Sequence, residues 1–400
     1  MNRWGIALAG FLMQVALGAV YAWSVFVNPL MKAYGWSKAD VTWTFTIAIF
    51  TLGVAAFLGG LWLNKKGPRV VALTGGFLYG LGVFLASFSD HKLGWLYLSY
   101  GLIGGAGLGL GYIVPIAVLV KWFPDKRGLI TGISVGGFGA GALVTAPVAT
   151  SLIASVGVMR TFAYLGIAFL LVSMSTGFFM QNPPAGWAPE GWTPSATVAR
   201  QRAAQDYTLG GALASWQWWA LWLLLFLNVT AGIALISQES PIFQKLSGAT
   251  PGVAAGMVGI VAIGNAFGRI FWAWVSDGIT RRWTFATMFV LQFGLFWLLP
   301  SLGAVTLITV VSFVILMCYG GGFGTMPAFA ADYFGSKNVG PIYGLMLTAW
   351  GTASYFGPQL LVKMLGGGND YTSGLHAIAW IVLVSTLLPI LISPPKAKAA

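Results

Sequence analysis

The chain has 400 residues, 58% of them hydrophobic and only 8% charged, with a mean hydropathy of +0.81. Soluble domains carry about 25% charged residues, so this chain cannot cover a water-facing surface of its own size, and its solvent is lipid. The net charge of +12 argues for topology and not for nucleic acid, because the cations stand singly or in short clusters between apolar runs. The single cysteine, Cys318, excludes a disulfide framework, and His91 and His376 are too isolated for a zinc site or a catalytic pair. No cofactor or metal is expected.

The opening run "MNRWGIALAGFLMQVALGAVYAWSVFV" is too long for a signal-peptide core and reads as a first span. A bilayer core needs about 20 apolar residues per helix. Punctuation by charges, glycines and prolines then gives twelve spans, at roughly 4–31, 40–63, 69–90, 93–120, 128–155, 160–181, 214–238, 251–275, 282–300, 304–331, 340–365 and 373–393. The most hydrophilic stretch, 182–212, begins "NPPAGWAPEGWTP" and reads as a cytoplasmic linker between an N-terminal bundle (1–181) and a C-terminal bundle (213–400). With the N-terminus inside, the inner loops and tails hold 14 Lys and Arg residues and the outer loops 6. The positive-inside rule therefore places both termini in the cytoplasm. The short loops and termini suit a bacterial inner membrane, and the expected oligomeric state is a monomer. One cation of the 21 is left over, Arg269.

The chain repeats itself. "NKKGPR" (64–69) aligns with "DGITRR" (277–282), "NPL" (28–30) with "SPI" (240–242), and "WFPDKRGLITG" (122–132) with "YFGSKNVGPIYG" (333–344), all about 212 residues apart. A parallel repeat of six helices implies a transporter with its site near the membrane midplane, between the halves.

These features resemble the major facilitator superfamily: an all-α membrane protein of twelve helices in two pseudo-symmetric six-helix bundles. "GLWLNKKGPR" (60–69) keeps the glycines and cations of that family's short turn but has Asn64 in place of the usual Asp, whereas the second copy keeps Asp277. "GAVYAWSVFVNPL", "KWFPDKRGLITG" and "GRIFWAWVSD" resemble, more narrowly, the monocarboxylate transporters and the oxalate/formate antiporters.

Arg269 lies eight residues before Asp277 in the eighth span, so its Cα is ~12 Å from the inner end. Its side chain leans toward the helix N-terminus, here the membrane centre. Facing lipid there costs about 3 kcal/mol or more, so it faces the bundle interior. All nine acids lie in loops or at span ends, with Glu239 the nearest to an interior position. A guanidinium is a planar fork suited to a carboxylate, so the missing partner is read as a small carboxylate anion, the substrate. The bland alternative is a structural Arg held by backbone carbonyls or by Asn265, one turn earlier. The resemblance implies the same as the functional reading, because Arg269 matches the span-eight arginine that binds the carboxylate in lactate carriers. Those carriers commonly place an Asp, tied to proton coupling, where this chain has Asn265. Oxalate antiporters carry a second cation in the eleventh span, where this chain has Trp350. One cation balances one carboxylate, which favours monocarboxylates such as lactate or pyruvate.

Tyr112, Tyr319 and Asn228 are further candidates for substrate contact, with Phe323 and Leu17 as apolar walls. Ordinary packing is the competing role for each. Lys65, Arg69, Asp125, Arg127 and Asp277 are expected to form ion-pair latches on the inner face that bias which way the carrier opens. The glycines of "GAGLGLG" (105–111) have no strand before them and form no dinucleotide loop. No nucleophile–base pair points to an enzyme, no continuous polar lining to a channel, and no long loop to a sensor. The expected function is proton-coupled transport of a monocarboxylate by alternating access. The alternative is carboxylate exchange without a proton.

Overall fold

The computed structural model describes residues 2–123, 127–184, 187, 189, 207–335, 338–365 and 370–395. Among them all regular structure is helical, and eleven helices are long and apolar enough to cross a membrane. The spans are α1 (Arg3–Tyr34), α2 (Lys38–Lys66), α3 (Pro68–Leu85), α4 (Leu93–Leu119), α5 (Gly132–Val156), α6 (Val158–Gly177), α7 (Trp216–Ser247), α8 (Pro251–Ile279), α9 (Arg281–Leu298), α10 (Val305–Phe334) and α12 (Thr372–Leu391). The expected eleventh span is there in two pieces, Val339–Met346 and Thr348–Met364, jointly α11. Its break falls at Leu347, where the Thr348 hydroxyl donates back to the Leu345 carbonyl at 2.7 Å and accepts from the Trp222 indole at 2.9 Å. The expected linker lies largely outside the described residues. Its far end is the short helix Leu209–Leu213, and the nearby Tyr207 donates its N–H to the Phe334 carbonyl and accepts at its own carbonyl from the Asn338 side-chain amide.

Local chemistry sets the helix boundaries. Ser37 and Asp40 form a reciprocal capping box on α2, while Thr250 caps α8 with Pro251 at its first position. Gly35 and Gly248, 213 positions apart, end α1 and α7 in the left-handed conformation, with φ of 68° and 67°. That region is sterically free only for glycine. Gly67 and Thr280, also 213 apart, turn α2 into α3 and α8 into α9 with φ of 81° and 74°. α2 and α8 have 29 residues each. The duplication read from short motifs thus recurs in the backbone.

Within the first six spans the closest pairings are α3 with α6 and α2 with α4; within the last six they are α8 with α10 and α7 with α11. The two sets meet along α2–α11 and α5–α8. One end of the bundle carries Arg3, Lys65, Lys66, Arg69, Arg281 and Arg282 and is called the basic end. The opposite end is closed. There the Gln238 amide donates to the Thr42 hydroxyl at 2.8 Å, and Thr46 and Ser354 exchange hydrogen bonds with each other's carbonyls at 3.0 and 3.1 Å. Lys38 donates to the Tyr371 hydroxyl at 2.8 Å, and the Asn28 amide to Gln244 at 3.5 Å.

Candidate functional site

Glycines on α8 and α10 set the position of Arg269. A methyl group at Gly268 would overlap the Met317 carbonyl, one at Gly320 the Asn265 carbonyl, and one at Gly324 the Arg269 carbonyl. Only bare backbone lets two helices approach this closely, as small residues do in membrane interfaces. The two helices therefore lie backbone to backbone beside Arg269, and its side chain is directed into the bundle, 1% exposed.

The guanidinium carbon stands 4.9 Å from the centre of the Phe323 ring, a cation–π contact. Nε reaches the Asn265 side-chain oxygen at 3.5 Å, while Nη1 and Nη2 have no hydrogen-bond partner. The phenols of Tyr112, Tyr21 and Tyr319 surround the charge. Tyr21 and Tyr319 join the halves through a 2.8 Å hydroxyl–hydroxyl hydrogen bond. Phe138 stands edge-on to both Tyr21 and Tyr112, with centroids 5.2 and 5.1 Å apart, and Trp350 packs on Tyr112, Phe138 and Phe323 at 5.4, 5.6 and 4.9 Å. The result is a closed aromatic cage around a forked cation. Inside it two strong donors, Nη1 and Nη2, have no partner among the described residues. Buried polar groups are normally paired, and here the phenols of Tyr112 and Tyr21 are the neighbours closest to acting as partners for the fork.

Arg269, Asn265, Tyr112, Tyr319 and Phe323 are brought together. Leu17 is buried one step back, against Gly111, the neighbour of Tyr112. Asn228 is also buried, but its amide nitrogen donates to the Cys318 carbonyl at 3.3 Å, tying α7 to α10. Glu239, read from the sequence as standing at a span end, is buried inside α7, which runs on to Ser247, and one of its carboxylate oxygens is unpartnered; among the described residues it forms no ion pair, and neither does Arg269.

The expected latch residues divide by location. Asp277 pairs with Arg281 at 2.6 Å, and Arg281 reaches Asp332 at 3.1 Å, linking α8, α9 and α10. Arg281 also donates to the Ser276 hydroxyl. Arg69 donates to the Gln181 side chain at 2.9 Å and lies over the Phe178 ring, joining α3 to the end of α6. Lys65 is exposed. Asp125 and the side chain of Arg127 lie outside the described residues.

Tyr21, Phe138 and Trp350 complete the cage but were not among the residues expected to touch substrate. A sequence pattern carries little sign of them: the chain has 59 aromatic residues, and Tyr21 and Tyr319 are 298 positions apart.

The chain is 31% identical over 367 residues to the oxalate:formate antiporter of Oxalobacter formigenes, covering 90% of this chain and 84% of that protein. It is 27% identical over 289 residues to monocarboxylate transporter 13 of Rattus norvegicus, covering 69% and 61%. Its fold superposes with a TM-score of 0.71, at 15% identity, on a bacterial homologue of the human lysosomal transporter Spinster in an inward-facing, unoccupied conformation; the match covers 97% of this chain and 96% of that one. Residues 6–358 match the family profile itself, from the first span into the eleventh, and with the helical repeat and the shared fold this places the chain in the Major Facilitator Superfamily.

Proposed function

We propose that the protein is a secondary active carrier of monocarboxylates of the lactate or pyruvate kind, moved with a proton by alternating access. The observation that carries this reading is the buried Arg269 fork, whose two terminal nitrogens lack partners inside an aromatic cage. A fork of this shape matches a carboxylate, and a single cation neutralises a single carboxylate. The two bundles, residues 1–181 and 213–400, rock about this point, with both termini in the cytoplasm of an inner-membrane monomer. The basic end then faces the cytoplasm, and the charged residues there, Lys65, Arg69, Asp125, Arg127 and Asp277, act as latches. A loaded site is neutral and reorients; an empty one keeps a buried charge, which disfavours return. Exchange is therefore faster than net flux, and net flux draws a proton. A second reading, carboxylate exchange without a proton, is favoured by the 31% identity to the oxalate:formate antiporter and by an amide, Asn265, beside Arg269.

The test is uptake of labelled lactate into proteoliposomes, with and without an inward proton gradient, for the native protein and Arg269→Ala. Gradient-stimulated uptake that the substitution abolishes is the expected result. Uptake indifferent to the gradient but fast into carboxylate-loaded vesicles selects the exchanger. Undiminished uptake by folded Arg269→Ala protein removes Arg269 as the anion site.

A further inference from the structure

We propose that the indole N–H of Trp350 is a second substrate donor, which selects monocarboxylates bearing a hydrogen-bond acceptor on the carbon next to the carboxylate: 2-oxo and 2-hydroxy acids over plain fatty acids. This rests on the monocarboxylate reading of the site. Trp350 is fully buried, and its Nε1 has no hydrogen-bond partner. A buried indole N–H ordinarily finds an acceptor, and in this protein those of Trp95, Trp122, Trp218, Trp219 and Trp222 do, at 2.8, 2.8, 3.3, 3.0 and 2.9 Å. Two other unpartnered indoles sit elsewhere: Trp23 stacks with Phe26 and Phe162, and Trp272 packs on Phe271. Trp350 alone of the three belongs to the cage.

The geometry suits one small molecule touching both groups. The Arg269 guanidinium carbon is 4.9 Å from the Phe323 centroid, and that centroid is 4.9 Å from the Trp350 centroid. The cation and the indole are therefore separated by no more than twice that distance. A carboxylate on the fork with an oxygen one carbon away, each hydrogen-bonded at about 2.9 Å, is of a size to bridge two donors held within that ceiling, beside the Phe323 ring that both groups contact. The orphaned groups are also of one kind. Nη1 and Nη2 of Arg269, Nδ2 of Asn265 and Nε1 of Trp350 are all donors, so the ligand they call for offers several acceptors in a small volume. A propionate-sized acid meets the fork and leaves the indole unpaired. A site built to bond an oxygen discriminates against the analogue that lacks it.

The experiment is calorimetric binding of pyruvate, lactate and propionate to the purified full-length protein in detergent, for wild type, Trp350→Phe, and a variant with benzothienylalanine at position 350. The last keeps the ring shape and removes only the N–H. Wild type is expected to bind pyruvate and lactate about three- to tenfold more tightly than propionate, the worth of one hydrogen bond. Both variants are expected to bring that ratio to about one, with pyruvate and lactate losing more affinity than propionate. Equal wild-type affinities for all three acids overturn the role of Trp350 and leave the monocarboxylate reading standing. Equal loss for all three acids in the variants makes Trp350 a packing residue and likewise overturns it. Failure of wild type to bind any of the three removes the monocarboxylate reading and this inference with it.

Discussion

The two halves repeat the same helices yet divide the chemistry unequally. At the offset that aligns α2 with α8, Arg269 corresponds to Ala56, buried like it, and Gly268 corresponds to Ala55. The second half supplies the cation, the Asn265 amide and the Asp277–Arg281–Asp332 cluster. The first supplies neutral walls, Tyr21, Tyr112 and Phe138. The turns differ in the opposite sense. The first has Gly67 at the left-handed position but Asn64 in place of the acid. The second has Asp277 but places Thr280 at a φ of 74° and ψ of 153°, a region nearly reserved for glycine. Duplication fixed the scaffold, and each copy kept a different part of it. Under the carrier function proposed above, one monocarboxylate needs only one cation, and a second at mid-depth would have no counter-charge.

That asymmetry makes Ala56→Arg the most disruptive substitution. It sets an unpaired charge and a large side chain in a filled position, and we expect a loss of about 3 kcal/mol or more in stability, read as collapse of the monodisperse peak in size-exclusion chromatography. A normally folded variant would show the first half to be as able to hold a cation as the second. Gly268→Ala ranks next, at about 1–3 kcal/mol, because its methyl meets backbone that cannot swing away, whereas Ala55→Gly at the matching place costs about 1 kcal/mol; thermal unfolding midpoints compare the two. If they shift equally, the close α8–α10 approach is no special feature of the second half. Exchanging the turn residues tests the backbone side: Gly67→Thr should lower stability by about 1 kcal/mol or more, and Thr280→Gly should raise it by about 1 kcal/mol. No gain, or a loss, from Thr280→Gly in the same unfolding assay would mean that Thr280 bears no strain. The smallest effect belongs to Arg281→Ala. Its acidic partners are largely exposed, at 70% and 54%, so the change should cost no more than about 1 kcal/mol and shrink further in 1 M salt. A salt-independent loss of several kcal/mol would make that cluster a structural core of the second half.

Arg269 was legible in the sequence because it was the one cation that topology did not use, and the acids read as loop or span-end residues, although the structure carries α7 past Glu239 and buries it. Asn265 followed from helical spacing, one turn away. Asp277 was legible as part of a turn motif, but its partners were not, since Asp332 is 55 positions away and joins the cluster only through the packing of α10 on α8. The break in α11 was invisible for a related reason: both its pieces are apolar, and the Thr348 hydroxyl beside it is bonded to the Trp222 indole, 126 positions away. Tyr21 and Trp350 went unrecognised among many aromatics because the same hydrophobic code serves lipid, core and site.

Composition, run length and charge placement were enough for the membrane class, the number of spans and the helical repeat. Lipid imposes those directly, by requiring each segment to satisfy its own backbone within about 30 Å. A lone charge in such a run also announces a site, since the bilayer penalises it wherever it faces outward. What surrounds that charge was decided by packing. The Tyr21–Tyr319 bond, the edge of Phe138, the unpartnered indole of Trp350 and the closed end opposite the basic end all depend on which helices meet and at what depth. Those contacts join residues far apart in the chain, and periodicity within one helix carries no record of its neighbour.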